Sequence, residues 1–145
     1  MIVVEKMLFL RQVPLFSNMA TSELTQVASI AREVIYPAGS RIIQEGERGD
    51  NMFLIADGEV SIQRGETVLK TLHPKDFFGE MSIIDGEARS ASALAQTDCL
   101  LLRIDRADFN DLLSTYNSAA ISVIRALIQR LREVLPALER AQRGM

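Results

Sequence analysis

The chain of 145 residues contains one cysteine and one histidine, and each scarcity closes off a class of proteins. A single thiol, Cys99, can form no disulfide within the chain, which fits a reducing compartment. It lies in the apolar run Cys99–Ile104 and reads as a small core side chain rather than a nucleophile. A single imidazole, His73, cannot supply the histidine cluster that a His-ligated metal centre needs. Set before Pro74 in a polar turn, it reads as an exposed loop residue. No apolar run reaches the roughly eighteen residues of a membrane span. Met1–Leu10 is apolar but short, carries Glu5 and Lys6, and lacks a small-residue cleavage site, so it reads as a docking helix rather than a signal peptide. With a formal net charge of −3, the whole chain does not look like a nucleic-acid binder. There is no nucleophile–base pair with an orienting partner, no metal cluster and no Gly-rich Lys loop, so an enzyme is not expected. A cytoplasmic location is.

What is present is a change of period along the chain. Hydrophobic residues make up 48%, enough for one core. The first thirty residues read as two helices, broken at Pro14-Leu15-Phe16-Ser17 and resumed at Thr21-Ser22-Glu23-Leu24, an N-terminal capping pattern. From Val34 to Ile104 short β-rich pieces alternate with Gly-bearing turns, among them Pro37-Ala38-Gly39, Glu45-Gly46, Asp57-Gly58 and Arg64-Gly65. Asp-Gly between alternating apolar runs is a strong hairpin signal. Seven or eight short strands at this spacing predict a β-sandwich or jelly roll. After Ile104 a short helix over Asp105–Leu113 and a long one from about Ser118 to Arg140 are expected. In the long helix Ile121, Ile124, Ile128, Leu131, Leu135 and Leu138 are spaced 3, 4, 3, 4, 3. That is an a/d seam, which favours a parallel homodimer over a helix packing its stripe on its own barrel. Leu127 and Val134 widen the stripe enough to serve both, and Pro136 should kink or end the straight part. The Arg-rich tail reads as a solvated helix face.

The most specific stretch is Phe78-Gly79-Glu80-Met81-Ser82-Ile83-Ile84-Asp85-Gly86-Glu87-Ala88-Arg89-Ser90-Ala91. Gly79 allows backbone angles and close approach that a Cβ forbids. Glu80–Ile84 reads as one or two helical turns whose first N–H groups are free to face an anion. Arg89 offers a planar fork that matches two phosphate oxygens. An ionised Glu80 can only accept hydrogen bonds, so beside a phosphate it makes sense as the acceptor for a sugar hydroxyl. Together they describe a ribose-phosphate clamp. The bland alternative is a surface ion pair between Glu80 and Arg89, worth about 0–1 kcal/mol.

These residues resemble a cyclic nucleotide-binding domain of the kind in the bacterial catabolite activator protein and in the regulatory subunit of the cAMP-dependent protein kinase. The resemblance extends over nearly the whole chain: Val13-Pro14-Leu15-Phe16, Pro37-Ala38-Gly39, Glu45-Gly46-Glu47 with Gly49-Asp50, Leu54-Ile55 with Asp57-Gly58-Glu59-Val60, the cassette from Phe78 to Ala91, and Asp105–Phe109 as a hinge helix. It implies an α+β fold. A β-roll of about eight antiparallel strands carries N-terminal helices, a short cassette helix and a long C-terminal helix. Residues 1–115 would form the roll with its hinge helix and 116–145 the lid and dimerisation helix. The resemblance places Gly79 and Glu80 on the ribose 2′-hydroxyl, Arg89 on the cyclic phosphate, Ser90 on the phosphate or base and Ala91 against the sugar-phosphate. Phe78, Met81 and Ser82 belong to the same cassette. Ser90, rather than Thr, leans toward cAMP over cGMP.

Two departures are visible. In the catabolite activator the long helix gives hydroxyl-bearing residues to the adenine; here that region holds Val134 and Leu135, with Arg132 a possible neighbour, so the base would be capped by apolar contact. The activator's DNA-binding module should follow the long helix, but the sequence stops at Met145, and no such module is expected. No cofactor is expected beyond the ligand itself, cAMP or else cGMP. The expected function is a sensor that signals through its C-terminal helices to an unidentified partner protein. A ligand-independent dimerising module of the same fold is the alternative, and either could be a piece of a larger protein.

Overall fold

The computed structural model describes residues 1–144. Two helices, α1 (Val3–Leu10) and α2 (Thr21–Ile30), precede eight strands. The strands are β1 (Ala31–Tyr36), β2 (Arg41–Ile43), β3 (Asn51–Asp57), β4 (Val60–Arg64), β5 (Thr67–Leu72), β6 (Phe77–Phe78), β7 (Ser92–Ala95) and β8 (Cys99–Asp105). Helix α3 (Glu80–Asp85) interrupts them between β6 and β7, and α4 (Arg106–Thr115) and α5 (Asn117–Arg143) follow.

The strands form two four-stranded antiparallel sheets, ordered β1-β8-β3-β6 and β2-β7-β4-β5. Successive side chains of a strand point to opposite faces, so a roll of two sheets buries one face of each. Phe53, Ile55, Val60, Phe78, Ala93, Ala95, Cys99 and Leu101 meet inside it. Phe53 stacks on Phe78 at 5.3 Å between ring centroids and takes the edge of Tyr36. The opposite face of the first sheet, through Met52, Leu54, Leu102 and Ile104, packs against α1, α2, α4 and the first turns of α5. The expected β-roll, its helices and its strand count are all seen.

Four local readings differ. Helix α1 ends at Leu10, well before Pro14, and the intervening residues form turns. The cap of α2 is Ala20 rather than Thr21. Its N–H donates to the Glu23 carboxylate at 2.8 Å, the side-chain half of a capping box. Strand β6 has only two residues, too few for period-2 alternation to reveal. Helix α5 runs on through Pro136. The missing proline N–H removes one helical hydrogen bond, and the surrounding turn is exposed, so water can serve the freed carbonyl.

Only the root of α5 is embedded, through Ala119, Ser122 and Val123. Beyond Leu127 the helix passes across the open side of the roll with most of its surface exposed.

Candidate functional site

The site is built where β6 turns into α3. Gly79, the residue before the first turn of α3, has φ +86°, a left-handed conformation that favours glycine. A Cβ there would also lie 2.8 Å from Arg89 Nη1 and 3.1 Å from the Asn51 carbonyl. The turn places Glu80, Ser82 and Ile83 inward and leaves Met81 and Ile84 exposed.

Arg89 is 7% exposed. Its Nη1 donates to the Gly79 carbonyl at 3.0 Å, and its Nη2 donates to the Asn51 carbonyl at 2.7 Å and to Asn51 Oδ1 at 3.0 Å. Gly49 makes room for it. A Cβ on Gly49 would sit 2.4 Å from the Arg89 Cζ and Nε atoms and 2.6 Å from Ser82 Cβ. Burial pulls the Arg89 guanidinium below its usual pKa, and the negative charges of Asp50 and Glu80 oppose that shift. An arginine stays a cation at neutral pH regardless, so these contacts hold a positive charge in place.

Glu80 is likewise buried. Its Oε1 accepts a hydrogen bond from Arg130 Nη1 at 2.6 Å, and the Arg130 guanidinium carbon lies 4.7 Å above the centre of the Phe77 ring. Arg130 is thus held by a carboxylate and by an aromatic face together. The remaining carboxylate oxygen of Glu80 can accept from a ligand.

A cavity of about 680 Å³ opens between this cluster, the second sheet and α5. Phe78, Gly79, Glu80, Met81, Ser82, Arg89, Ser90 and Ala91 all line it. From α5 the lining comes from Leu127, Arg130, Leu131 and Val134. Of the three α5 residues singled out from sequence, Val134 therefore faces the cavity and Arg132 and Leu135 do not. Side chains three and four apart share a helix face whereas those two apart do not. Arg130 and Val134 are four apart, so Val134 carried the signal for Arg130, which the sequence reading missed. The cavity has a cationic corner at Arg89, an acceptor at Glu80 and otherwise mainly apolar walls. That suits a compact anion joined to a hydroxylated ring and a flat apolar group.

Residues 33–116 match the family model described as the cyclic nucleotide-binding domain, and the chain belongs to that family. It is 38% identical over 107 residues to the cAMP-dependent protein kinase regulatory subunit of Aspergillus fumigatus, covering 72% of this chain and 26% of that one. It superimposes on the Thermus thermophilus catabolite activator protein with a TM-score of 0.77 at 33% identity, over 89% of this chain and 63% of that one. The N-terminal domain of a Streptomyces coelicolor transcriptional regulator gives a TM-score of 0.78 at 27% identity, over 90% and 94% of the two chains. The chain spans about a quarter of the length of the kinase regulatory subunits it matches. No described helix is long and apolar enough to cross a membrane.

Proposed function

We propose that this chain is a cyclic nucleotide sensor whose ligand is cAMP and whose output is a change in the position of α5. Residues 1–115 would hold the ligand and 116–145 would respond. The observation that carries the reading is the convergence of Arg89, Glu80 and Arg130 on one cavity, because Arg130 belongs to the helix that is to move. The phosphate pairs with Arg89, the ribose hydroxyl binds Glu80, and the base lies against Leu127, Leu131 and Val134. A ligand shifts an equilibrium only by its differential affinity for two states. A cavity walled partly by α5 supplies that difference, since ligand contacts with α5 exist in only one arrangement of the helix. The role is regulatory rather than catalytic.

The half-exposed stripe from Ile121 to Leu138 favours a homodimer, and it also suits the alternative of a dimerising module that needs no ligand. Calorimetric titration separates them. The protein is unfolded and refolded to strip any nucleotide, then titrated with cAMP and with cGMP. Micromolar or tighter binding of cAMP is expected. A folded protein that gives no heat with either nucleotide overturns the sensor.

A further inference from the structure

A second cavity, of about 640 Å³, lies on the other side of the Arg130–Phe77 contact. Its walls include the Pro14–Asn18 loop, the end of β5 at Lys70, Thr71 and Leu72, the following turn at Asp76, and the face of α5 that carries Arg125, Gln129 and Glu133 beside Arg130. Strand β5 is the edge of its sheet and pairs only with β4. On its outer side no backbone N–H or carbonyl of Thr67–Leu72 finds a partner among the described residues. Edge strands with such a free row are templates for another strand, and proteins usually blunt them with charge, proline or a covering element. Here Lys70 is the one charge in the strand, and Val68 and Leu69 are both about half exposed.

We infer that this groove binds an extended polypeptide segment, which adds as a strand to the edge of β5 and is read by the polar stripe of α5. The unpaired main chain of β5 selects an extended peptide over a helix, because only an extended segment offers a matching row of donors and acceptors. The stripe fixes the charge pattern. Arg125 and Glu133 are eight residues apart, and at 1.5 Å per residue that is about 12 Å along α5. An extended chain rises about 3.3 Å per residue and its side chains alternate between faces, so the partner carries an acidic side chain four residues from a basic one, both toward α5. The acidic one faces Arg125 and the basic one faces Glu133. Arg125, Gln129 and Glu133 lie on the face of α5 away from the Ile128–Leu131 seam, so the segment and a second copy of the chain can bind together. A segment clamped between β5 and α5 senses any displacement of that helix. It is therefore placed to read the output, although the groove itself exists without a nucleotide.

The test uses the full chain as bait for a displayed library of random linear heptapeptides. Enriched peptides should share an acidic and a basic residue about four positions apart. Their binding should slow amide hydrogen exchange in Thr67–Leu72, and N-methylation of alternate peptide amides should abolish it. The surface double variant Arg125→Glu, Glu133→Arg leaves the core untouched and should reverse the order of the two charges in the enriched set. No enrichment, enriched peptides that leave β5 exchange unchanged, or a charge order indifferent to the double variant would each overturn the inference. None of these readouts depends on nucleotide binding, so the result stands apart from the titration with cAMP.

Discussion

Arg130 of α5 and Glu80 of the cassette, fifty residues apart in sequence, are joined by a 2.6 Å hydrogen bond between guanidinium and carboxylate. The pair matters because Glu80 lies in the same cavity as Arg89, where the anionic part of a ligand would bind. An unpaired carboxylate there repels that anion, and Arg130 cancels the charge while leaving one oxygen free. Arg130→Ala should therefore weaken cAMP binding by roughly tenfold, about 1.4 kcal/mol. In a Glu80→Gln background the same change should cost much less, because the repulsive charge is already gone. Titration of the four proteins closes the cycle, and equal losses in both backgrounds would show that Arg130 acts independently of Glu80.

Gly49 should be as important to binding as a residue that meets the ligand. Its φ is ordinary, so a side chain there is not excluded by backbone strain. The exclusion is steric, since a Cβ would stand 2.4 Å from the Arg89 guanidinium. Gly49→Ala must push Arg89 out of the position set by Gly79 and Asn51. Binding should fall at least tenfold, while overpacking costs stability only about 1–3 kcal/mol. Arg89→Ala should lose as much affinity. An unaltered affinity in Gly49→Ala, measured on folded protein, would show that Arg89 does not need this seat.

Much of this arrangement was legible beforehand. The fold was carried by Gly-bearing turns between short apolar runs and by one long stretch of helical period. The cassette was carried by residue types whose chemistry is local: a glycine, a carboxylate and a guanidine within a few residues of one another. Arg130 was not legible because its role depends on the angle at which α5 crosses the roll, and that angle is set by burial of Ala119 and Val123 far down the helix. Gly49 stands out in the sequence only within a family pattern, since nothing local marks it as the floor beneath Arg89. The two-residue strand β6 was too short for any period. Pro136 does not end α5, which continues to Arg143 with one helical hydrogen bond fewer.

The turn at His73-Pro74-Lys75-Asp76 stores a small strain. The Asp76 N–H closes it on the His73 carbonyl at 3.0 Å, and Lys75 has φ +80°. Proline at the second position and a left-handed third residue make a type II turn, where glycine is preferred. A left-handed conformation costs an L-residue about 1–2 kcal/mol, and the extra freedom of glycine in the unfolded chain takes back part of the relief. Lys75→Gly should thus stabilise the protein by up to about 1 kcal/mol. Urea unfolding checks it; a lower midpoint in the variant would mean that the lysine side chain contributes more than the strain costs.

Burial pushes the Cys99 thiol above its ordinary pKa of 9.0. A group whose pKa is raised on folding stabilises fully below its unfolded value, and that contribution is lost as the pH climbs through the folded one. The unfolded chain gives up the proton first, so stability should decline above about pH 9 and not at neutral pH. Cys99→Ala will be less stable at every pH because it leaves a void, yet its stability should fall less steeply between about pH 8 and pH 10. Parallel slopes for the two proteins would rule the thiol out as a source of alkaline sensitivity.

The exposed stripe of α5 makes the last prediction. In the single chain Ile121, Ile124, Ile128, Leu131, Leu135 and Leu138 are each between 43% and 56% exposed, and the helix carries the stripe unbroken past Pro136. Isoleucine at Ile121 and Ile128 and leucine at Leu131 and Leu138 place β-branched residues mainly at a positions and leucine mainly at d, the combination that favours two parallel strands. Ile128 lies in the middle of the stripe and contributes nothing to the core of one chain. Ile128→Asp should therefore leave the β-roll folded and convert a dimer into a monomer, because each copy would bring a charge into an apolar seam. Sedimentation equilibrium reads the mass directly, and circular dichroism confirms the fold. A wild-type chain that stays monomeric at every concentration measured would mean that the stripe is covered by something other than a second copy.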